Sequence, residues 1–204
     1  VSEDDKNTTY LRSIDFPFVV VGRPDNPEEV LWVNNDNISA MYNVVEKLIK
    51  KGHRKIGFVG AIENLNMSKD RFIGYKNALF DNKISYDESI VVHKDEFIEN
   101  EGQSACNELL QNKDITAIVT TDDLIAFGIM KELKLKNIDN ISIVGFNNTP
   151  LSAYQNPPLA TVDINAYELG YSAAKLLINN LEGKEHAKRH YIVDTEFIER
   201  ESFI

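Results

Sequence analysis

Residues 115–150 constrain the fold of this chain more than any other stretch. An apolar run at 115–119 leads into Thr120, Thr121, Asp122 and Asp123, and then into a helix-like run over 124–133. A second apolar run, 141–145, ends in Phe146, Asn147, Asn148, Thr149 and Pro150. Strand, helix, strand in that order is one βαβ unit, which belongs to a parallel sheet with a right-handed crossover. The polar residues fall just past the two strands. Those are the carboxyl ends at which open α/β sheets hold ligands.

The same alternation runs through the rest. Residues 7–14 suggest a short helix. Residues 16–21 and 31–33 read as short strands, the first bracketed by Pro17 and Pro24. A long amphipathic helix starts at Asn37, with Ile38, Met41, Tyr42, Val45, Leu48 and Ile49 on one face, Asp36 or Asn37 as cap and Gly52 as stop. Residues 55–59 form the next strand, and Ser68 is expected to cap the helix that follows. Residues 90–92 suggest a strand and 102–111 a helix. After the opening unit come a proline-rich loop at 151–158, a short strand at 160–164, a helix over 166–181 stopped by Gly183, and strand-like residues at 190–197. Strands this short, alternating with helices, predict an α/β fold with parallel sheets.

Charge and composition remove several functions. A chain of 204 residues with 43% hydrophobic and 26% charged residues reads as one globular domain or two small lobes, not a disordered chain. A net charge of −10 argues against nucleic-acid binding by these residues, since duplex affinity rests on Lys and Arg. The densest basic run, 50–55, reads as a helix end whose cations complement the dipole. No apolar run approaches the ~20 residues that span a bilayer. The first residues lack the basic cluster and apolar run of a secretory signal. The lone Cys106 forms no internal disulfide, which suits a cytoplasmic setting. His53, His93, His186 and His190 show no metal-ligand spacing, and no phosphate-binding glycine loop or nucleophile elbow is present.

A few polar positions carry candidate chemistry. Arg71 would stand in the first turn of the helix begun by Ser68, against the dipole, and is a candidate ligand contact. Of Asp122 and Asp123, one is expected to cap the following helix, with Asp123 the better placed; the other would offer a carboxylate to hydroxyls. Adjacent carboxylates at a cap are poorly arranged for glycosidase chemistry. Asn147 and Asn148 suit either a left-handed turn or amide contacts to a polar ligand, one role for each. Phe97, in a polar setting, is either a core anchor for its loop or an aromatic floor for a sugar ring.

In this order, the segments resemble the LacI/GalR family of sugar-responsive bacterial repressors. The resemblance is carried by residues 16–23, 33–37 and 48–58, by the Ser68-x-x-Arg71-x-x-Gly74-Tyr75 pattern, and by Thr121-Asp122-Asp123-x-x-Ala126-x-Gly128. Residues 141–147, 157–162 and 197–200 complete it. Residues 145–150 look most like maltose-operon repressors.

The resemblance implies a two-lobed fold like that of periplasmic binding proteins. The first lobe would take residues 1–36 and 163–194. The second would take 37–162 and a last strand at 195–204. Hinges would lie at Asp36, Asp163 and Thr195. The opening strands of the first lobe, and a helix-turn-helix domain that binds operator DNA, are expected to be missing from this chain. A sugar effector would sit between the lobes and shift their closure. Arg71 matches the arginine that binds effector hydroxyls. Asn147 stands where many members have an aspartate, and Asp122 where asparagine is common. Phe97 aligns with a pocket aromatic, and Arg23 faces the cleft. The expected protein is a cytoplasmic homodimer with no enzyme activity, cofactor or metal. The alternative is a stand-alone sugar-binding protein of a transporter.

Overall fold

The structure, a computed structural model, describes residues 5–112, 114–184 and 189–204. The first four residues and His186 lie outside that set. The short helix α1 covers Lys6–Ser13 and is capped by Asp5, whose carboxylate accepts from the backbone of Asn7 and Thr8.

Two sheets follow. In chain order the strands are β1 (Val19–Val21), β2 (Leu31–Asn35), β3 (Ile56–Ala61), β4 (Val91–Lys94), β5 (Ala117–Thr120), β6 (Ser142–Asn147), β7 (Ala160–Asp163), β8 (His190–Val193) and β9 (Glu196–Ile198). The helices are α2 (Asn37–Lys50), α3 (Asn66–Asp81), α4 (Glu99–Leu109), α5 (Asp123–Leu135) and α6 (Ala166–Leu181). The first lobe holds a parallel three-stranded sheet, β1-β2-β8. The second holds six strands in the order β4-β3-β5-β6-β7-β9, parallel except for β9 against β7. The strand-like run at 190–197 is therefore two strands in two different sheets.

The six-stranded sheet is apolar on both faces because its side chains alternate. Ile56, Phe58, Ala117, Val119, Val144 and Phe146 point to the side covered by α2 and α3. Val59, Ala61, Ile118 and Ile143 point to the side covered by α4 and α5. Each large side chain buried this way stabilises the fold by roughly 1.5–3 kcal/mol. Helix α6 covers the first-lobe sheet, setting Leu169 and Leu176 on Leu31, Val33 and Val193. The basic run at 50–55 closes a helix end, with Arg54 Nη1 donating to the Ile49 carbonyl at 2.8 Å.

The chain passes between the sheets three times. It crosses at Asp36, which caps α2 by accepting from Ser39 N at 2.9 Å. It returns at 164–165, after Asp163 ends β7, and crosses again at Asp194 and Thr195, between β8 and β9. Asn35 ties all three together. Its amide donates to the Ile164 carbonyl at 3.0 Å and to the Val193 carbonyl at 2.9 Å. Among the described residues no helix is long and apolar enough to cross a membrane.

Candidate functional site

The strand order of the second lobe reverses at β3. Strand β4 lies on one side of it and β5 on the other, so the connections leaving β3 and β5 diverge and open a crevice at their carboxyl ends. The first turns of α3 and α5 stand over that crevice. Opposite them lie the ends of β1 and β2. The cleft between has a volume of about 480 Å³, within the ~300–1,000 Å³ of small-molecule sites. Six asparagines line it: Asn34, Asn35, Asn37, Asn66, Asn147 and Asn148, together with Arg23, Arg71 and Thr149.

Arg71 is the buried centre, with 3% of its surface exposed. Its Nε donates to Asn37 Oδ1 at 2.8 Å and its Nη1 to the Thr121 carbonyl at 2.6 Å. The guanidinium lies 3.5 Å from the centroid of the Phe146 ring, a cation–π contact. Burial pushes it down to about 9, while the charges of Asp122, Asp123 and Asp70 act to raise it, so it is a cation at neutral pH. One side chain thus joins the helix after β3 to the end of β5 and to the first crossing.

Helix α3 begins at Asn66 with Leu65 at its N-cap, so Ser68 is not the cap expected from the sequence. Its hydroxyl donates instead to the Ala61 carbonyl at 2.7 Å and holds the helix against the end of β3. Arg71 consequently stands beyond the first turn. The dipole conflict that singled it out is weaker than expected, and its partners come from tertiary packing. The same turn also grips the first lobe. Asn66 and Asp70, four residues apart and on one face, take hold of the 23–25 loop. Arg23 makes a forked pair with Asp70 (3.1 and 2.7 Å), and Asn66 donates to the Arg23 carbonyl and to Asp25, both at 2.9 Å. The Asp70 carboxylate, with its hydrogen bonds, raises the Arg23 guanidinium above its ordinary value.

The aspartate pair exchanges its expected roles. Asp122, not Asp123, is the N-cap of α5, its Oδ1 accepting from Leu124 N at 2.7 Å. Asp123 is the first residue inside the helix and is fully buried. Its carboxylate reaches across to β6 and β7. Oδ2 accepts from Thr149 N at 2.7 Å and from Ser152 Oγ at 2.9 Å, and Oδ1 accepts from Thr161 Oγ1 at 2.6 Å. Gly145 makes this path possible, because a Cβ there would lie 2.2 Å from Asp123 Oδ1. Burial raises the Asp123 carboxyl even against those three donors. Asp122 is pushed up to about 6, mainly by burial and further by Asp123, against the lowering pull of Leu124 N–H, Arg71 and Asn147.

Both asparagines at the end of β6 have left-handed backbone, φ 105° at Asn147 and 50° at Asn148, a conformation asparagine tolerates. They differ in their amides. Asn148 is held at both ends, donating to Asp163 Oδ2 and accepting from Arg200 Nη2, each at 2.8 Å. Asn147 donates to Asp122 Oδ2 at 2.7 Å, and its Oδ1 has no protein partner among the described residues.

The structure thus brings Arg23, Arg71, Asp122 and Asn147 together and leaves Phe97 out. Phe97 packs half-buried on the core beneath α4 and α5 and is not on the cleft wall, in keeping with a loop anchor. Sequence reasoning missed Asn35, Asn66 and Asp70. Two asparagines in a row at a strand end were the only visible sign of the first; nothing local marks the others. A second hollow, of about 360 Å³, lies at the far end of α5 among Leu133, Ile138, Ile141 and Pro157 and holds none of the candidate residues.

A two-sheet α/β body with a polar cleft at the strand ends is the architecture of a binding protein, and comparison with known proteins gives the class. Residues 45–203 match the periplasmic binding protein-like domain. Over 196 residues the chain is 31% identical to the HTH-type transcriptional regulator MalR of Staphylococcus xylosus, covering 94% of this chain and 57% of that protein. It also superposes on solved regulators. With a transcriptional regulator LacI from Bacillus cereus subsp. cytotoxis the TM-score is 0.93 at 38% identity, covering 98% of this chain and 73% of that one. With the regulator CelR in complex with cellobiose it is 0.93 at 26% identity, covering 99% and 63%. The chain belongs to the periplasmic binding protein-like family, in the form carried by LacI-family transcriptional regulators. It spans little more than half the length of MalR.

Proposed function

We propose that this chain is the effector-binding and dimerisation core of a sugar-responsive, DNA-binding repressor of the cytoplasm. A neutral saccharide, of the maltose or malto-oligosaccharide class, binds between the lobes and biases their closure. A DNA-binding domain outside this chain reads the operator. The observation that carries the reading is the cleft itself: six asparagines offer uncharged donors and acceptors beside one buried arginine, as a polyhydroxylated ligand requires. The resemblance to MalR supports the sugar class. Arg71, Asn147 and Arg23 are the ligand contacts, and Asp36, Asp163 and Thr195 mark the hinges. The exposed Leu151 and Tyr154, at 59% and 83%, support a dimer contact at the 151–158 loop.

The closure is a two-state equilibrium, so a sugar controls it only as far as it binds one state better. Thermal-shift measurements on the intact protein test the reading. Maltose or maltotriose at 100 times its Kd should stabilise the wild type by about 2.7 kcal/mol. Arg71→Lys keeps the charge but not the fork and should lose most of that shift. No shift with any neutral mono- or oligosaccharide would refute the assignment.

A further inference from the structure

The polarity of the cleft deepens that reading, and the inference rests on it. Both arginines on the wall are already compensated. Arg23 is forked with Asp70, and Arg71 is surrounded by the charges of Asp122, Asp123 and Asp70. Asn148 is held at both ends by Asp163 and Arg200. That leaves Asn147. An amide beside a carboxylate has one favourable orientation, with NH₂ toward the oxygens, because the reverse sets acceptor against acceptor. The 2.7 Å bond from Nδ2 to Asp122 Oδ2 selects that orientation. Asp122 is itself locked by Leu124 N–H on its other oxygen, at 2.7 Å.

We propose that Asp122 is a positioning residue that holds the Asn147 amide with Oδ1 turned to the cleft, so that this end of the site selects a hydroxyl donor and disfavours an anion. The occupant is an uncharged polyol whose O–H group donates to Asn147 Oδ1. A phosphate or carboxylate placed there meets an acceptor, with the Asp122 carboxylate behind it.

Two measurements decide this. In the ¹⁵N-labelled intact protein without ligand, one Asn147 side-chain amide proton should be shifted downfield and protected from exchange, with the signal assigned by its loss in N147D. In D122N that signature should vanish while the protein still unfolds in one cooperative transition, since asparagine is an equally good N-cap. An unshifted Asn147 amide in the wild type, or one unchanged in D122N, overturns the positioning role.

The second measurement is calorimetric titration with maltose, cellobiose and ribose, and with glucose 6-phosphate and gluconate as anionic probes. For the neutral sugar that binds, D122N should weaken affinity about tenfold, as expected for a lost or inverted hydrogen bond. D122N combined with N147D keeps one amide and one carboxylate in the pair, with an acceptor again at the cleft, and should recover most of it. Wild-type affinity in D122N, or tighter binding of an anionic probe than of every neutral sugar, overturns the proposal. If no neutral sugar binds and the anionic probes do not either, the sugar reading fails, and the amide signature alone then decides the role of Asp122.

Discussion

At the residue scale, the neighbours Asp122 and Asp123 show how one chemical group takes two roles. Both carboxyls are raised by burial, but Asp123 has donors from three other residues while Asp122 has a helix N–H and one amide. Removing Asp123 leaves the Thr149 amide and the Ser152 and Thr161 hydroxyls without their acceptor. Asp123→Ala should therefore destabilise the protein by about 3 kcal/mol or more in urea denaturation, with Asp123→Asn milder. Asp122 has a pH signature. A carboxyl that titrates near 6 in the folded state and at 3.8 unfolded favours folding through its protonated form. That contribution is present below about pH 4 and is lost as the pH rises through about 6, a change of about 3 kcal/mol in all. The melting midpoint of Asp122→Asn relative to wild type should rise across that window and level off above pH 7. A difference that stays flat from pH 4 to 8 would contradict the buried carboxylate.

At the element scale, the first turn of α3 does most to organise the site. Ser68 holds it to β3, Arg71 turns inward, and Asn66 and Asp70 turn toward the first lobe. Its distance from α2 is set at Gly74, where a Cβ would meet the Ile38 carbonyl at 2.3 Å. Gly74→Ala should force the two helices apart and lower stability by roughly 1–3 kcal/mol, read from the denaturation midpoint. The bounds of α6 are those expected from its 3.6-residue pattern, because an amphipathic stripe is a local property. The start of α3 is not. Its N-cap, Leu65, makes no side-chain bond, so no capping residue announces it, and Ser68 looked like a cap only because serine usually is one.

For the whole molecule, the three crossings and the Arg23–Asp70 fork decide how the sheets face each other. Asn35 is the common point of the crossings, and its two acceptors have no other side-chain donor among the described residues. Asn35→Ala should cost about 2 kcal/mol and broaden the distance distribution in small-angle scattering. The fork is partly exposed at Arg23, so it adds about 1 kcal/mol or less to stability. Its effect should show in shape: Arg23→Gln should raise the radius of gyration of the ligand-free protein with little change in midpoint. An unchanged scattering curve would show that the fork does not hold the lobes.

The sequence by itself determined the alternation of strands and helices, the buried character of the central strands β3, β5 and β6 and the placing of polar residues at strand ends. Those properties repeat every two or 3.6 residues and are written within a few positions of one another. Only the tertiary structure decided which aspartate caps α5, which asparagine keeps a free oxygen, and which residue gathers the crossings. The deciding bonds join Asn147 to Asp122 across 25 positions and Asn35 to Val193 across 158. A polar side chain takes whatever partner the fold brings to it, and separations of that length leave no local pattern to read.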